Sequence, residues 1–163
     1  MSTLVCIPAF NEEKIIGKVV KECLKYSDEV VVCDDGSIDK TFDEAKMAGA
    51  VCLKHKKNLG KGAALKSLFE YARNSNAEVI ITIDGDGQFL PEEIPKLKKP
   101  IEDKISDIVI GNRFDDAHEM PHYRKFGNKI LDKMTNLAAE LSIKDSQSGY
   151  RAYSKRVIDN VKI

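Results

Sequence analysis

The chain has 163 residues, of which 42% are hydrophobic, and its 26 basic side chains are balanced by 26 acidic ones. This size and composition fit one compact domain with its own core, and they argue against a fibre, a disordered tail or a membrane span. The basic residues are dispersed among acidic ones and the formal net charge is zero. The sequence therefore lacks the positive field of a duplex-binding protein, and nucleic acid is not an expected partner.

Short apolar runs alternate with helical spacing in the first half of the chain. In the first predicted helix, for example, Ile15 and Val19 lie four residues apart, as do Ile16 and Val20. In the second, Asp39 stands where it can cap the helix start. Three strand-and-helix pairs are predicted: residues 3–7 and 14–25, residues 29–33 and 40–48, and residues 50–53 and 60–73.

The second half of the chain continues the alternation. Residues 79–83 are almost continuously apolar, which is typical of a central strand covered on both faces. A helix at residues 91–98, a strand at 107–111, a polar loop at 114–121 and a long helix at 123–141 are predicted after it. This pattern predicts an α/β fold with a mainly parallel central sheet flanked by helices.

Four cysteines are present without any C-x-x-C pair, and they sit inside apolar runs. We therefore expect reduced, buried thiols instead of a zinc site or disulfides. No signal-peptide core is found, and no run reaches the ~18 apolar residues of a membrane span. A cytoplasmic protein is predicted, either free or peripheral on the cytoplasmic face of a membrane.

Polar residues follow the predicted strands at one edge of the sheet. They occur at residues 8–12 (PAFNE), 34–35 (DD), 84–88 (DGDGQ) and 112–113 (NR). Ligands of open α/β sheets bind outside the carboxyl ends of the strands, so these segments predict the functional site.

Three familiar motifs fail in this sequence. The segment around Gly60 and Lys61 lacks the Ser or Thr and the earlier glycine of a phosphate loop, and residues 8–12 contain no glycine of a dinucleotide fingerprint. Residues 84–88 begin like an EF-hand, but Phe89 and Pro95 stand where that loop needs glycine and glutamate.

The remaining feature of residues 84–88 is three oxygen donors at alternate positions. In an extended segment Asp84, Asp86 and Gln88 would point to the same side. Carboxylate and amide oxygens suit a hard cation that retains water and phosphate ligands. The spacing therefore predicts a site for Mg²⁺ or Mn²⁺ beside a diphosphate.

In combination, these segments resemble an inverting family 2 glycosyltransferase with the GT-A fold. The similarity lies in residues 8–12, 34–41, 58–62 (NLGKG) and 84–88, in the family's order. Later segments resemble the branch that contains dolichyl-phosphate mannose and glucose synthases, namely residues 111–113, Arg124 and residues 145–151 (DSQSGYR). The resemblance extends from residue 3 to about residue 153.

The resemblance implies a role for each matching residue. Asp35 would accept a hydrogen bond from the nucleotide base, and Asp84 would approach the ribose or the metal. The residues expected to bind the nucleotide sugar are Pro8, Phe10, Glu12, Asp35, Lys61 and Asp84. The metal ligands would be Asp84, Asp86 and Gln88. Asp86, Arg113 and Arg124 would act in catalysis, and the acceptor side would be formed by Asp145, Gln147, Ser148 and Arg151.

By this resemblance, the enzyme would move a hexose from GDP-mannose, UDP-glucose or UDP-GlcNAc to dolichyl or polyprenyl phosphate, with inversion. Arg113 and Arg124, together with a divalent cation, would stabilise the charge that develops on the departing diphosphate. A lipid phosphate is already an ionised nucleophile, so no strong general base is required. Gln147 and Ser148 look more like glucose-type than mannose-type synthases, and the sugar stays open.

Two alternatives are also open. A family 2 transferase acting on a saccharide or protein hydroxyl would need a carboxylate base, for which Asp145 is the candidate. An inactive nucleotide-binding module is the other.

His55, His118 and His122 are expected to be loop or edge residues without a catalytic task. Residues 1–163 are expected to form one catalytic domain, either a minimal enzyme or a fragment without the membrane-contacting helices of the synthases.

Overall fold

The computed structural model describes residues 1–111 and 149–160. Six strands lie in this part of the chain: β1 Thr3–Ala9, β2 Glu29–Asp34, β3 Val51–Lys54, β4 Val79–Thr82, β5 Ile108–Ile110 and β6 Arg151–Ser154. The helices are α1 Ile16–Cys23, α2 Thr41–Met47, α3 Lys61–Arg73, α4 Ile94–Glu102 and α5 Lys155–Asn160, with a 3₁₀ turn, Pro91–Glu93, leading into α4.

The strands form one sheet in the order β3-β2-β1-β4-β6-β5. β1 pairs in parallel with β2 and β4, and β2 pairs in parallel with β3. β6 runs antiparallel between β4 and β5, so β5 points the same way as β4. The carboxyl ends of β1 to β5 therefore lie at one edge, where β6 begins.

Alternating side chains of the strands build a core on each face of the sheet. Val5 and Ile7 of β1 pack on one face with Ile16 of α1 and Ile94 of α4. Leu4 and Cys6 point to the opposite face, where they pack with α3 and α5. All four residues of β4 are buried, as expected for a strand covered on both sides. The predicted α/β fold with a mainly parallel sheet flanked by helices is confirmed.

The sequence prediction missed two of the described elements, β6 and α5. Arg151, which we expected on the acceptor side, is the first residue of β6. The loop predicted at residues 114–121 and the helix at 123–141 lie outside the described residues. Among the helices that the structure does describe, none combines the length and the apolarity needed to cross a bilayer.

The cysteines are free thiols, as predicted. Cys6, Cys23 and Cys33 are buried, and Cys52 is partly buried. Burial raises the pKa of the Cys23 thiol to about 12, with a further contribution from the negative charge of Glu22. These thiols therefore stay protonated at neutral pH and act as core residues.

Candidate functional site

A cavity of about 330 Å³ opens at the carboxyl edge of the sheet. It lies beyond the ends of β1 and β4 and beside the start of α3. Its lining brings together residues that are far apart in the sequence: Pro8, Ala9, Phe10, Glu12, Asp35, Asn58, Gly60, Lys61, Ala64, Asp84, Gly85 and Asp86. Seven of these were predicted as site residues, because parallel strands deliver their carboxyl ends to the same place.

The loop after β1 is held by the loop after β2. The backbone amides of residues 11–13 donate to the side chains of Ser37, Thr41 and Asp39 at 2.9, 2.7 and 3.1 Å, respectively. The Asp35 amide donates to the Ala9 carbonyl at 2.9 Å, which extends the β1–β2 pairing. These bonds fix the positions of two cavity residues, Phe10 and Glu12, that lie on a loop instead of a strand.

Asp35 is buried at the wall of the cavity and accepts three hydrogen bonds. Its Oδ1 accepts from the Leu59 amide at 3.0 Å and pairs with His55 Nδ1 at 2.6 Å, while its Oδ2 accepts from the Gly60 amide at 2.7 Å. Burial acts to raise the pKa of Asp35, but the hydrogen bonds from His55, Leu59 and Gly60 outweigh it and lower the pKa. The carboxyl group is therefore ionised at neutral pH.

Lys61 and Asp84 form an ion pair at the cavity. Lys61 Nζ lies 2.6 Å from Asp84 Oδ1, and the Lys61 side chain is 54% exposed while that of Asp84 is 23% exposed. Lys61 is the first residue of α3, and Gly60 before it adopts a positive φ of 93°. The ammonium group is therefore delivered by the start of a helix to the carboxylate that follows β4.

Glu12 and Asp86 make the cavity electronegative. Burial raises the pKa of the Glu12 carboxyl, and the negative charges of Asp86 and Asp39 raise it further. The shift reflects first the removal of water around Glu12 and then the repulsion from these two carboxylates. A cation bound at this place would relieve the repulsion.

Residues 84–88 form a turn, and the predicted extended geometry is wrong. β4 ends at Thr82, and Gly87 adopts a positive φ of 73°. The backbone N–H of Gln88 donates a hydrogen bond to Asp86 Oδ1 at 3.0 Å. The glycines between the oxygen donors permit this reversal. Asp84 and Asp86 line the cavity, whereas Gln88 is exposed and outside its lining. Alternate spacing therefore does not bring the three side chains to one side.

The cavity residues nevertheless fit a divalent cation. In the described part of the chain, no three His, Cys, Asp or Glu side chains are grouped closely enough to hold a metal ion. Mg²⁺ needs only one or two carboxylates when water and phosphate oxygens complete its shell. Asp84 and Asp86, which both line the cavity, would supply these carboxylates. The site thus fits Mg²⁺ or Mn²⁺ that is shared with a bound phosphate.

The segment before β6 lies against Asp84. A Cβ atom built on Gly149 would stand 2.5 Å from both carboxylate oxygens of Asp84, so only glycine allows this approach. The Gly149 carbonyl accepts a hydrogen bond from Thr82 Oγ1 at 2.9 Å. Arg151 pairs with Thr82 of β4 and with Ile110 of β5, which places it at the same edge as the cavity.

The other predicted site residues lie outside the described part of the chain. These are Arg113, Arg124, Asp145, Gln147 and Ser148. Two described residues at the site were missed by the sequence analysis. His55 was expected to be a loop or edge residue without a catalytic task, yet it binds Asp35; its place right after a strand end was the available signal. Gly149 was quoted within a motif, but its contact with Asp84 has no local sequence signal.

Comparison with curated proteins identifies relatives that are named as glycosyltransferases. Among curated proteins, the chain is 34% identical to the UDP-N-acetylglucosamine–dolichyl-phosphate N-acetylglucosaminyltransferase of Methanococcus voltae, over 93% of this chain and 69% of that protein. It is 30% identical to the polyprenol monophosphomannose synthase of Mycolicibacterium smegmatis, over 99% of this chain and 64% of that protein.

Solved structures share the fold. Glucosyl-3-phosphoglycerate synthase from Mycobacterium tuberculosis, in complex with Mn²⁺, UDP-glucose and phosphoglyceric acid, superimposes with a TM-score of 0.73 at 22% identity. The match covers 96% of this chain and 57% of that structure, so the chain spans little more than half of it. The predicted GT-A fold is thereby confirmed. The model of the family described as Glycosyl transferase family 2 matches residues 4–162, and the chain belongs to this family.

Proposed function

We propose that this chain transfers a hexose from a nucleotide sugar to a polyprenyl phosphate such as dolichyl phosphate. The observation that carries the proposal is the position of Asp84 between two segments. It pairs with Lys61 on the side of the predicted nucleotide pocket and touches Gly149, which belongs to the predicted acceptor motif. Donor and acceptor would therefore meet at this carboxylate. The named activities of the relatives from M. voltae and M. smegmatis support this reading.

On the donor side, the cavity offers a different kind of contact to each part of a nucleotide sugar. The Asp35 carboxylate would accept a hydrogen bond from the base, and the exposed Phe10 ring would cover its apolar face. Lys61 would turn from Asp84 to the diphosphate, where its positive charge stabilises the leaving group. Asp84 and Asp86 would hold Mg²⁺ or Mn²⁺, which supplies further stabilisation of that charge when bound.

On the acceptor side, the lipid phosphate would need orientation and no deprotonation. Arg151 begins β6 at the edge where the cavity opens, and a guanidinium group presents the planar donor pair that suits a phosphate. Attack by a phosphate oxygen on the face opposite the diphosphate would invert the anomeric carbon. Arg113 and Arg124 are proposed to act on the departing diphosphate.

A transfer assay tests the proposal. The protein is incubated with Mn²⁺ and a labelled nucleotide sugar (UDP-glucose, UDP-GlcNAc or GDP-mannose), with either polyprenyl phosphate or the matching polyprenol. We expect label in the organic phase only with the phosphate. Transfer to a saccharide or protein hydroxyl, abolished in Asp145→Asn, would favour the hydroxyl-transferase alternative. Nucleotide binding without transfer or donor hydrolysis would favour an inactive module.

A further inference from the structure

His55 links the candidate base-binding residue to helix α3. Its Nδ1 lies 2.6 Å from Asp35 Oδ1, and its Nε2 lies 2.9 Å from the Oγ of Ser67 on α3. The His55 side chain is 14% exposed and that of Asp35 is 5% exposed, so both are largely shielded from water. Three polar groups therefore form a chain of hydrogen bonds behind the cavity wall.

The direction of the hydrogen bond between His55 and Asp35 follows from Asp35. Hydrogen bonds to its carboxylate outweigh burial and lower its pKa, so Asp35 has no proton to donate. His55 Nδ1 must therefore carry the hydrogen that it shares with Oδ1. Nε2 lies beside the Ser67 hydroxyl, which can either donate to this nitrogen or accept from it.

The two carboxylate oxygens of Asp35 differ in how many of their acceptor positions are already occupied. A carboxylate offers about two acceptor positions on each oxygen. Among the described residues, Oδ1 uses both, one for His55 and one for the Leu59 amide, whereas Oδ2 accepts only from the Gly60 amide. One acceptor position is therefore left on Oδ2 of this residue, which lines the cavity.

Nucleobases differ in what they can offer to one fixed acceptor. Uracil presents a single ring N–H at N3 between two carbonyl groups. Guanine presents two adjacent donors, the ring N1–H and the exocyclic amino group, which match a carboxylate with both oxygens available. Cytosine has an acceptor nitrogen at N3, which a carboxylate repels.

We propose that Asp35, with Oδ1 occupied by His55, selects a uracil nucleotide over guanine and cytosine nucleotides, and that His55 is the positioning residue for this selectivity. This inference rests on the proposed nucleotide-sugar function and names the base of the donor. His55 acts through Asp35 and does not touch the nucleotide. A site with one fixed acceptor discriminates by leaving the second donor of guanine unpaired.

Calorimetry with UDP, GDP and CDP at a fixed Mn²⁺ concentration tests the selectivity on the unaltered chain. UDP and CDP share ribose and diphosphate and differ only in the base. We expect UDP to bind about tenfold or more tightly than GDP or CDP, the scale of one charged hydrogen bond. GDP or CDP binding as tightly as UDP would overturn the selectivity, whereas failure to bind any of the three would overturn the proposed function itself.

Two substitutions at one position test the role of His55. His55→Leu removes the hydrogen bond that orients the Asp35 carboxylate, so UDP affinity is expected to fall and the UDP-to-GDP affinity ratio to shrink by about fivefold or more. His55→Asn retains a side-chain N–H for Asp35 and is expected to keep most of the ratio. Affinity for inorganic diphosphate should be equal in all three proteins. An unchanged UDP-to-GDP ratio in folded His55→Leu would overturn the positioning role.

Discussion

At the scale of single residues, the Lys61–Asp84 ion pair couples two expected ligands of the donor. Lys61 Nζ lies 2.6 Å from Asp84 Oδ1, in contact with a carboxylate that would also attract a metal ion. On the proposed function, the ammonium group and the metal would therefore compete for Asp84 until a diphosphate provided Lys61 with another partner. Lys61 is half exposed, so solvent screening keeps this competition weak.

Replacing Lys61 with Ala should separate the effect of this residue on metal binding from its effect on nucleotide binding. Without nucleotide, Mn²⁺ is expected to bind about two- to fivefold more tightly, the range of an exposed ion pair. With Mn²⁺ present, nucleoside diphosphate is expected to bind about tenfold more weakly, because a charged contact to the diphosphate is lost. Metal titration by electron paramagnetic resonance and nucleotide titration by calorimetry measure the two constants.

Lys66→Ala is the matched control, since Lys66 is an exposed lysine on the same helix and does not line the cavity. It should change neither constant. Weaker Mn²⁺ binding in Lys61→Ala would show that Lys61 assists the metal site, which contradicts the competition. Equal nucleotide affinity of Lys61→Ala and wild type would show that Lys61 does not contact the bound donor.

Residue spacing predicted which residues belong to the site better than it predicted how those residues are arranged. Asp84 and Asp86 line the cavity as expected, but Gln88 does not, because Gly87 turns the chain with a φ of 73°. Glycine accepts both extended and left-handed conformations, so the sequence could not decide between strand and turn. Likewise, the bond between His55 and Asp35 joins residues 20 positions apart and has no local signature.

At the scale of elements, the residues just before β6 pack against the turn that follows β4. Gly149 packs against Asp84, and its carbonyl accepts from Thr82 Oγ1 at 2.9 Å. The neighbouring Tyr150 contacts Phe89, with ring centroids 5.2 Å apart, and its hydroxyl donates to the Leu90 carbonyl at 3.2 Å. The orientation of Asp84 therefore depends on Gly149, which lies 67 residues later in the chain than Thr82.

Gly149→Ala should disturb the packing between this segment and Asp84. The added Cβ would stand 2.5 Å from the Asp84 carboxylate oxygens, so the Asp84 side chain must turn away or one of the two segments must move. We expect the free energy of unfolding to fall by about 1–3 kcal/mol, as for other overpacked sites. Nucleotide affinity should fall as well, because Asp84 is displaced. Urea denaturation and calorimetry measure the two changes.

Gly62→Ala serves as the comparison for Gly149→Ala. Gly62 lies in α3, and nothing stands within 4 Å of its added Cβ. Alanine should raise the stability there by up to about 1 kcal/mol, since it is the better helix former. A Gly149→Ala protein as stable as wild type, with full nucleotide affinity, would show that Asp84 does not need the close approach.

The elements in the first half of the chain could be predicted because each shows its own hydrophobic period. Strand β4, for example, is expected at residues 79–83 and observed at Val79–Thr82. β6 could not be predicted, since its four residues, Arg151–Ser154, carry no clear alternation and its place depends on pairing with β4 and β5. Its position between two parallel strands is a property of the assembled sheet.

At the scale of the whole molecule, the sheet brings the chemistry to one edge. β1, β2 and β4 are parallel neighbours, so the loops that follow them deliver Phe10, Asp35 and Asp84 to one cavity. This gathering follows from topology and could be predicted from the strand order that the alternation implies. The distances and ion pairs inside the cavity could not, since they depend on side-chain packing between distant segments.

The central proposal is a nucleoside diphosphate site that works with a divalent cation through Asp86. Calorimetry of UDP binding in Mn²⁺ and in EDTA, with wild type and Asp86→Asn, tests it most directly. Asp43→Asn is the control, because Asp43 is an exposed carboxylate on α2 away from the cavity. We predict that Mn²⁺ strengthens UDP binding in wild type and Asp43→Asn, and that Asp86→Asn loses about 1–3 kcal/mol of this binding. Equal UDP affinity for wild type and Asp86→Asn, in Mn²⁺ as in EDTA, would contradict it.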